Sequence, residues 1–328
     1  MHSTGQRGFV LVLTIWILAI ITIGAAYFAE RVFGSIQLAR QSKMATEALL
    51  EMSGTRAEIL FRLGTTRPSI YGVGPTPQSA IALDNRPYRS DEGDIVRLQD
   101  SRGLINVNYV QPEMLRRLLG QLGVAAEKRD AMLDTLSDFT DTDDLRRLNG
   151  AEEPEYRALG LPPPPNDWLI TPWQLKGIIG WREQDALWKD GKIFEVVTTA
   201  RVIGFNPNTA PRDAIAAIPS SSPEIADNLI RLRANDPLTG TAQLGPIAAI
   251  VSSMSDNVIF FPGPNLQLTQ ESDKIPWRLH CQIEITPSAD RAPWRIDFCI
   301  KTDVTGPTKN ANNASKLPAR VAISAITN

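Results

Sequence analysis

The chain is poor in the residues that do chemistry. It has two histidines and two cysteines in 328 residues. His2 lies in the N-terminal leader. His280 falls mid-strand in an alternating pattern and is expected to face solvent. That leaves little from which to build a His-based metal centre or a nucleophile–base relay, and no catalytic constellation is expected. No G-x-x-x-x-G-K-[ST] run is present to cradle a nucleotide. An excess of charge of either sign is also missing. Lys and Arg number 34 and Asp and Glu 36, a net charge of −2, so the molecule as a whole is a ligand for neither nucleic acid nor an acidic surface. Charge is absent altogether from Phe9 to Ala29, and proline is absent from Glu30 to Leu63.

These last two absences define the N-terminus. A helix over 9–29 would be about 30 Å long, the thickness of a bilayer's hydrocarbon core. A plain anchor, a secretory signal cut near Gly24-Ala25-Ala26, and a leader cut between Gly8 and Phe9 all fit that stretch. The residues beyond it separate them. Val32, Phe33, Ile36, Ala45, Ala48, Leu49, Ile59, Leu60 and Leu63 recur at helical spacing, and Gly64 before Thr-Thr-Arg-Pro is a stop. One helix over 9–63 is expected, about 80 Å long. Its Val32, Phe33 and Ile36 side suits packing near a membrane, and its Leu49, Leu60 and Leu63 side suits holding a head. Neither a removed signal nor a lone anchor needs that extension; a filament subunit does. Arg7 ahead of the run places the leader in the cytoplasm and the bulk across the membrane.

After the helix, the segment 86–103 reads as a hairpin turning at Asp91-Glu92-Gly93. Periodicity is helical from Asn106 to about Ser253 and strand-like again from Asn257. A polar tail follows, and Arg320–Ile326 is a candidate last strand. The class is α+β, with leader 1–8, helix 9–64 (membrane span 9–29), a head formed by 65–103 and 254–328, and an all-helical insertion at 104–253. An internal repeat lies inside the insertion. LINVNYVQPEMLRRLLGQLG (104–123) and GFNPNTAPRDAIAAIPSSSPEIADNLIRLRAND (204–236) each run from Asn-x-Asn through proline into a helix, with the Asn pair expected as a helix cap. The second copy resembles the helix-hairpin-helix modules of DNA-binding proteins, without their glycine-apolar-glycine turn. Residues 101–250 carry 16 basic and 20 acidic side chains, so DNA would be repelled. Cys281 and Cys299 sit in two strands whose apolar faces pair Ile283 with Ile296. In a regular ladder that register places the sulfurs on opposite faces, so two free thiols are expected unless a β-bulge intervenes.

The densest polar chemistry is DTLSDFTDTDDLRRLNGAEEPEYRALG (134–160). Carboxylates at alternating loop positions suit a hard cation such as Ca²⁺. The spacing is not that of an EF-hand, and a solvated acidic loop reads the same residues without a metal.

Four stretches carry a family resemblance. Arg7-Gly8-Phe9 before the apolar run resembles the processing site of type IV pilins and type II secretion pseudopilins, cut by a prepilin peptidase that methylates the new terminal Phe. D-F-T-D-T-D followed by G-A-E-x-x-x-Y, with QDSRGLINVN (99–108) before it and NPNTAP (206–211) after it, resembles the signature of the K-class minor pseudopilins. The likeness covers most of residues 1–240 and fades beyond. Leu13 stands where other pseudopilins have Glu, as the K class does. The resemblance implies a pseudopilin head with a helical insertion and calcium held by Asp138, Asp141, Asp143 and Glu152. It implies a non-enzymatic tip subunit of the pseudopilus, anchored once in the bacterial inner membrane with its bulk in the periplasm, that helps export folded proteins. Its implied partners are the I- and J-class minor pseudopilins, the major pseudopilin, the prepilin peptidase and the secretion assembly platform, and no nucleic acid. The other readings are a membrane-anchored binding protein using the helical hairpins, for DNA or for secreted substrate, and an anchored enzyme with an unrecognised site.

Overall fold

The computed structural model describes residues 7–219, 221–247, 258–303 and 313–319. The first six leader residues and the expected strand at 320–326 lie outside them. The chain forms two compact units, Met1–Leu50 and Glu51–Asn328. Helix α1, Arg7–Thr65, contains the whole of the expected N-terminal helix. In the first unit its apolar residues from Phe9 to Phe28 are almost all exposed, and it is long and apolar enough to cross a membrane.

The second unit is built on a sheet. Short strands β1 (Pro68–Ser69) and β2 (Gly72–Val73) pair with each other beside it. Then β3 (Tyr88–Arg89) and β4 (Ile95–Asp100) form the expected hairpin, whose turn places Gly93 at φ 98°, a conformation that costs glycine little. A small parallel pair, β5 (Ile105–Asn106) and β6 (Val197–Thr198), belongs to the helical block. That block holds α2 (Pro112–Gln121), α3 (Ala126–Thr140), α4 (Glu153–Ala158), α5 (Asp185–Trp188), α6 (Arg212–Ala217) and α7 (Pro223–Asn235). The sheet resumes with β7 (Asn265–Glu271), β8 (Trp277–Ile285), β9 (Trp294–Asp303) and β10 (Ser315–Lys316), in the order β10-β3-β4-β7-β8-β9. Strands β4 and β7 are antiparallel neighbours, so the block leaves from one strand and returns into the next. The architecture is the α+β pseudopilin fold.

The two faces of the sheet differ. On one, Leu98, Leu268 and Cys281 are in register across three strands and buried, and the last turns of α1 bury Met52, Ile59, Leu60 and Leu63. Gln270 Nε2 on this face donates to Met52 O at 2.7 Å, and Thr55 Oγ1 donates to Asp94 Oδ1 at 2.7 Å. Leu49, expected on the same stripe, is exposed. The opposite face is polar and also buried, because the helical block lies on it. Gln99 Nε2 donates to Thr209 O at 3.0 Å, Gln267 Nε2 to Val197 O at 3.0 Å, and Arg278 Nη1 to Asp190 O at 3.0 Å. Arg97 pairs there with Glu271, both nearly inaccessible to solvent. His280 belongs to this face and is buried rather than solvent-facing. Its Nδ1 lies 3.1 Å from Thr269 Oγ1, and its ring packs on Phe194 with centroids 5.4 Å apart. Burial, with Arg278 and Arg97 nearby, pushes its pKa down to about 3. The alternation was the ordinary signal of a solvated face; a covering domain that makes its own hydrogen bonds produces the same pattern.

The expectation of free thiols is overturned. Ile283 does pair with Ile296, but the ladder shifts between Gln282 and Ile283, and Gln282 pairs with Phe298. The extra residue, Asp297, is a bulge that puts Cys299 directly opposite Cys281, and the two form a disulfide.

Candidate functional site

The repeat places the site. In the first copy Asn106 Oδ1 accepts from Asn108 N at 2.9 Å, and in the second Asn206 Oδ1 accepts from Asn208 N at 3.0 Å. These are Asx turns, not helix caps. The residues ahead of α2 and α6 are Gln111 and Pro211, and neither makes a side-chain cap. The second Asn of each pair clamps a leucine peptide from both sides. Asn108 Nδ2 donates to Leu169 O (3.0 Å) and its Oδ1 accepts from Leu169 N (2.9 Å). Asn208 does the same to Leu238 at 2.9 and 2.8 Å. Five residues past each leucine a glutamine, Gln174 or Gln243, accepts from two backbone N–H groups. Beneath the second copy, the buried Asp100 carboxylate accepts from Asn206 Nδ2, Thr209 Oγ1 and the N–H groups of Arg102 and Gly263. It joins the sheet to that hairpin.

Between α3 and Leu169 the first copy carries the acidic segment. Asp138, in the last turn of α3, is fully buried. A Cβ on Gly150 would stand 1.8 Å from Asp138 Oδ2, so only glycine lets the loop approach that carboxylate. Arg147 closes the loop. Its backbone N–H donates to Asp138 Oδ2 at 3.1 Å, while its Nη1 donates to Asp138 Oδ1 at 2.7 Å and to Asp141 Oδ2 at 2.5 Å. These bonds, that to Asp141 first, raise the Arg147 pKa. Glu152 precedes α4 and is 3% exposed, and its two carboxylate oxygens meet no hydrogen-bond donor among the described residues. Burial first, then Asp138, Asp141, Asp144 and Asp143, raise its pKa to about 7. Asp143 turns away, its Oδ1 accepting from Leu145 N at 2.9 Å. Asn166 Nδ2 donates to Asp143 O and Asp144 Oδ1, which ties the segment's far end to the loop.

Of the four residues expected to hold a cation, Asp138 and Asp141 are thus joined through Arg147. Glu152 stands close enough to feel both, and Asp143 is engaged in its own turn. As they stand, no group of three or more His, Cys, Asp or Glu among the described residues is arranged to hold a metal ion. The donor set nevertheless has the chemistry that a hard cation takes. It is all carboxylate oxygen, it includes a buried Glu with no donor of its own, and a guanidinium already bridges two of its members. Arg147 went unnoticed in the sequence, and Gly150 entered only as the first letter of the G-A-E signature, with no role given to it. Their signal was a basic residue and a glycine inside the acidic run.

Other surfaces offer less. Arg212 is bound to Asp227 and Arg231 to Asn228, and Arg233 Nη1 is taken by the carbonyls of Pro207 and Ala210, so the described residues of the second hairpin present no basic stripe. A cavity of about 300 Å³ lies beside α7, lined by Tyr71, Tyr88, Asp84, Arg86 and Arg233 among others. There Arg86 is held by both Asp84 oxygens, and the described lining residues include no nucleophile–base pair.

Comparison with known proteins bears on the segment just described. Residues 94–187 match the family model for protein K of the type II secretion system (T2SS). The match runs from the start of β4 through the first hairpin and the acidic segment to α5. No curated protein sequence matches the chain. Among solved structures, a chain in the crystal structure of the GspK-GspI-GspJ complex from the enterotoxigenic Escherichia coli type 2 secretion system is similar. It aligns with a TM-score of 0.56 at 16% identity, covering 81% of this chain and 99% of that one.

Proposed function

We propose that this chain, a K-type minor pseudopilin by its family domain and its fold, caps the tip of the type II secretion pseudopilus and starts its assembly. The observation that carries the reading is the K-protein match at 94–187, which runs from β4 into the block between adjacent strands β4 and β7, in a chain whose N-terminal helix has an uncharged stretch at 9–29. The similar chain was solved with GspI and GspJ, and I- and J-class subunits are the partners proposed here. Leu13 supports the tip position. Inside a filament, a Glu at the fifth mature position can neutralise a neighbour's terminal amine. A subunit with nothing above it would leave that Glu as an unpaired buried charge. The inserted block is a bulk that a close-packed filament would exclude and its end would accept. A prepilin peptidase cuts between Gly8 and Phe9, and the mature chain spans the inner membrane once with its head in the periplasm, helping export folded proteins.

The acidic segment binds Ca²⁺ in this reading. Asp138, Asp141 and Glu152 supply oxygens at the loop, with Asp143 available once it leaves its turn, and the cation supplies positive charge that one guanidinium cannot. Mass spectrometry of the mature protein tests the placement. An N-methylated Phe9 is expected, whereas a chain beginning at Tyr27 would mean a conventional signal peptide and end the pseudopilin reading. Calcium is tested by melting the full chain in detergent with CaCl₂ or with chelator. A higher Tm in calcium is expected, and identical curves would leave a solvated loop.

A further inference from the structure

We infer that Arg147 is a built-in counter-ion of the acidic segment, and that binding a divalent cation there is an exchange in which its guanidinium leaves. The inference rests on the calcium reading above and adds a residue that faces the cation instead of ligating it. One nitrogen, Nη1, touches a carboxylate from α3 and a second from the loop, at 2.7 and 2.5 Å. A guanidinium only donates hydrogen bonds, and in bridging two carboxylates it does what a bound cation does. Both cannot occupy the place between Asp138 and Asp141.

The surroundings allow the guanidinium to go and the carboxylate to stay. The Arg147 side chain is 43% exposed and can turn into water, while that of Asp138 is inaccessible. Asp138 does not depend on the guanidinium for its position. The Arg147 backbone N–H holds its Oδ2, and Gly150 closes over it. Arg147 alone is also one charge short of the two carboxylates it bridges, and Glu152 lies buried beside them with no donor. The neighbouring Arg146 cannot serve, because its Nη1 is bonded to Glu155 at 2.9 Å. A divalent cation brings twice the charge of Arg147 and accepts oxygens from several directions. Arg147 therefore keeps the loop folded without calcium and lowers the affinity for calcium by competing with it.

The test uses the full chain in detergent, titrated with CaCl₂ by calorimetry and melted with and without chelator. Arg147→Gln is expected to tighten calcium binding roughly tenfold, the size of one charge-assisted contact, and to lower the Tm of the calcium-free protein. At saturating calcium its Tm should return to that of the wild type, which shows that the variant folds. Arg147→Lys, which keeps the charge, should bind like the wild type, and so should Arg146→Gln. In the wild type, calcium should bring the Arg147 side-chain N–H groups into fast exchange with water. If the wild type binds calcium but Arg147→Gln binds no more tightly, or if those N–H groups stay protected with calcium bound, the exchange is wrong and the calcium reading stands. If the wild type binds no calcium, both fail.

Discussion

In the first helical hairpin Asn108 clamps Leu169 across 61 residues, and in the second Asn208 clamps Leu238 across 30. The clamps have the same geometry, and each is followed by the same glutamine turn. The first span is longer because it also holds the acidic loop, α4 and the four prolines at 162–165. A frame used twice, once bare and once loaded, separates what the fold requires from what has been added to it. The clamp belongs to the fold. Buried Asp138 and Glu152, the guanidinium that bridges Asp138 to Asp141 and the glycine that admits the loop occur only in the loaded copy. They are not needed to make a helical hairpin, and the second copy does without them.

The largest effects should come from the shared frame. Asn108→Ala and Asn208→Ala each strand a leucine N–H and C=O, at about 2–4 kcal/mol in urea unfolding. Asn208→Ala should cost about 1 kcal/mol more, since Asn208 also reaches Phe260 O. If either substitution costs under about 0.5 kcal/mol, the clamp is not what holds that copy.

The two copies also differ in how their surroundings rest on the polar face of the sheet. Thr209 of the second copy meets Gln99, while the segment after the first copy lays Phe194 against His280. Only the second of these contacts involves a titratable side chain, a histidine that titrates near neutrality when exposed. His280 is held neutral in the fold, with a pKa of about 3 against 6.5 when unfolded, so below pH 6.5 the unfolded state binds the extra proton. The His280 contribution to stability should therefore fall by about 2 kcal/mol between pH 7 and 5, read as the difference between the wild type and His280→Gln. The difference is needed because Glu152, raised to about 7, gains its proton in the fold over the same range and acts in the opposite direction. His280→Gln should remove that part of the slope, and an unchanged slope would place the titration elsewhere.

A smaller effect distinguishes the added charges. Asp141→Ala with Asp143→Ala should abolish the calcium-induced rise in Tm while changing calcium-free stability by only about 1 kcal/mol, because Arg147 loses one of two partners. Asp227→Ala in the bare copy breaks a comparable pair with Arg212 and should leave the calcium response intact. The smallest effect is expected at Leu13. Leu13→Glu should leave secretion unchanged or reduce it, and an increase measured in a secretion assay would remove the argument for a tip position.

Much of this was legible in the sequence, where local periodicity decides. Helix α1, the Gly93 hairpin and the Asn-x-Asn frames all follow from spacing and turn chemistry. What escaped depends on contacts distant in the chain. His280 looked solvated because an alternating strand does not show that a helical block covers its polar side. The disulfide escaped because one extra residue, Asp297, reverses which side chains share a face, and nothing local marks it. Strand β10 lies in a polar tail and owes its two residues to pairing with β3. Asp138 and Asp141 were legible as a cluster, but Arg147 as the cation between them was not, since a basic residue in an acidic run reads equally well as a surface charge.

A subunit that caps the pseudopilus and starts its assembly must use α1 as an assembly surface. Val32, Phe33 and Ile36 are exposed on it, whereas Leu60 is buried in the second unit. The direct test is to co-express the full chain with I- and J-class pseudopilins and measure how much of each co-purifies. Ile36→Asp should leave the head's melting temperature unchanged, cut recovery of the partners and stop secretion, because a charge on an apolar packing surface costs the complex more than the fold. Leu60→Asp should instead lower the melting temperature. An Ile36→Asp chain that keeps both partners and secretes normally would mean that α1 is only an anchor.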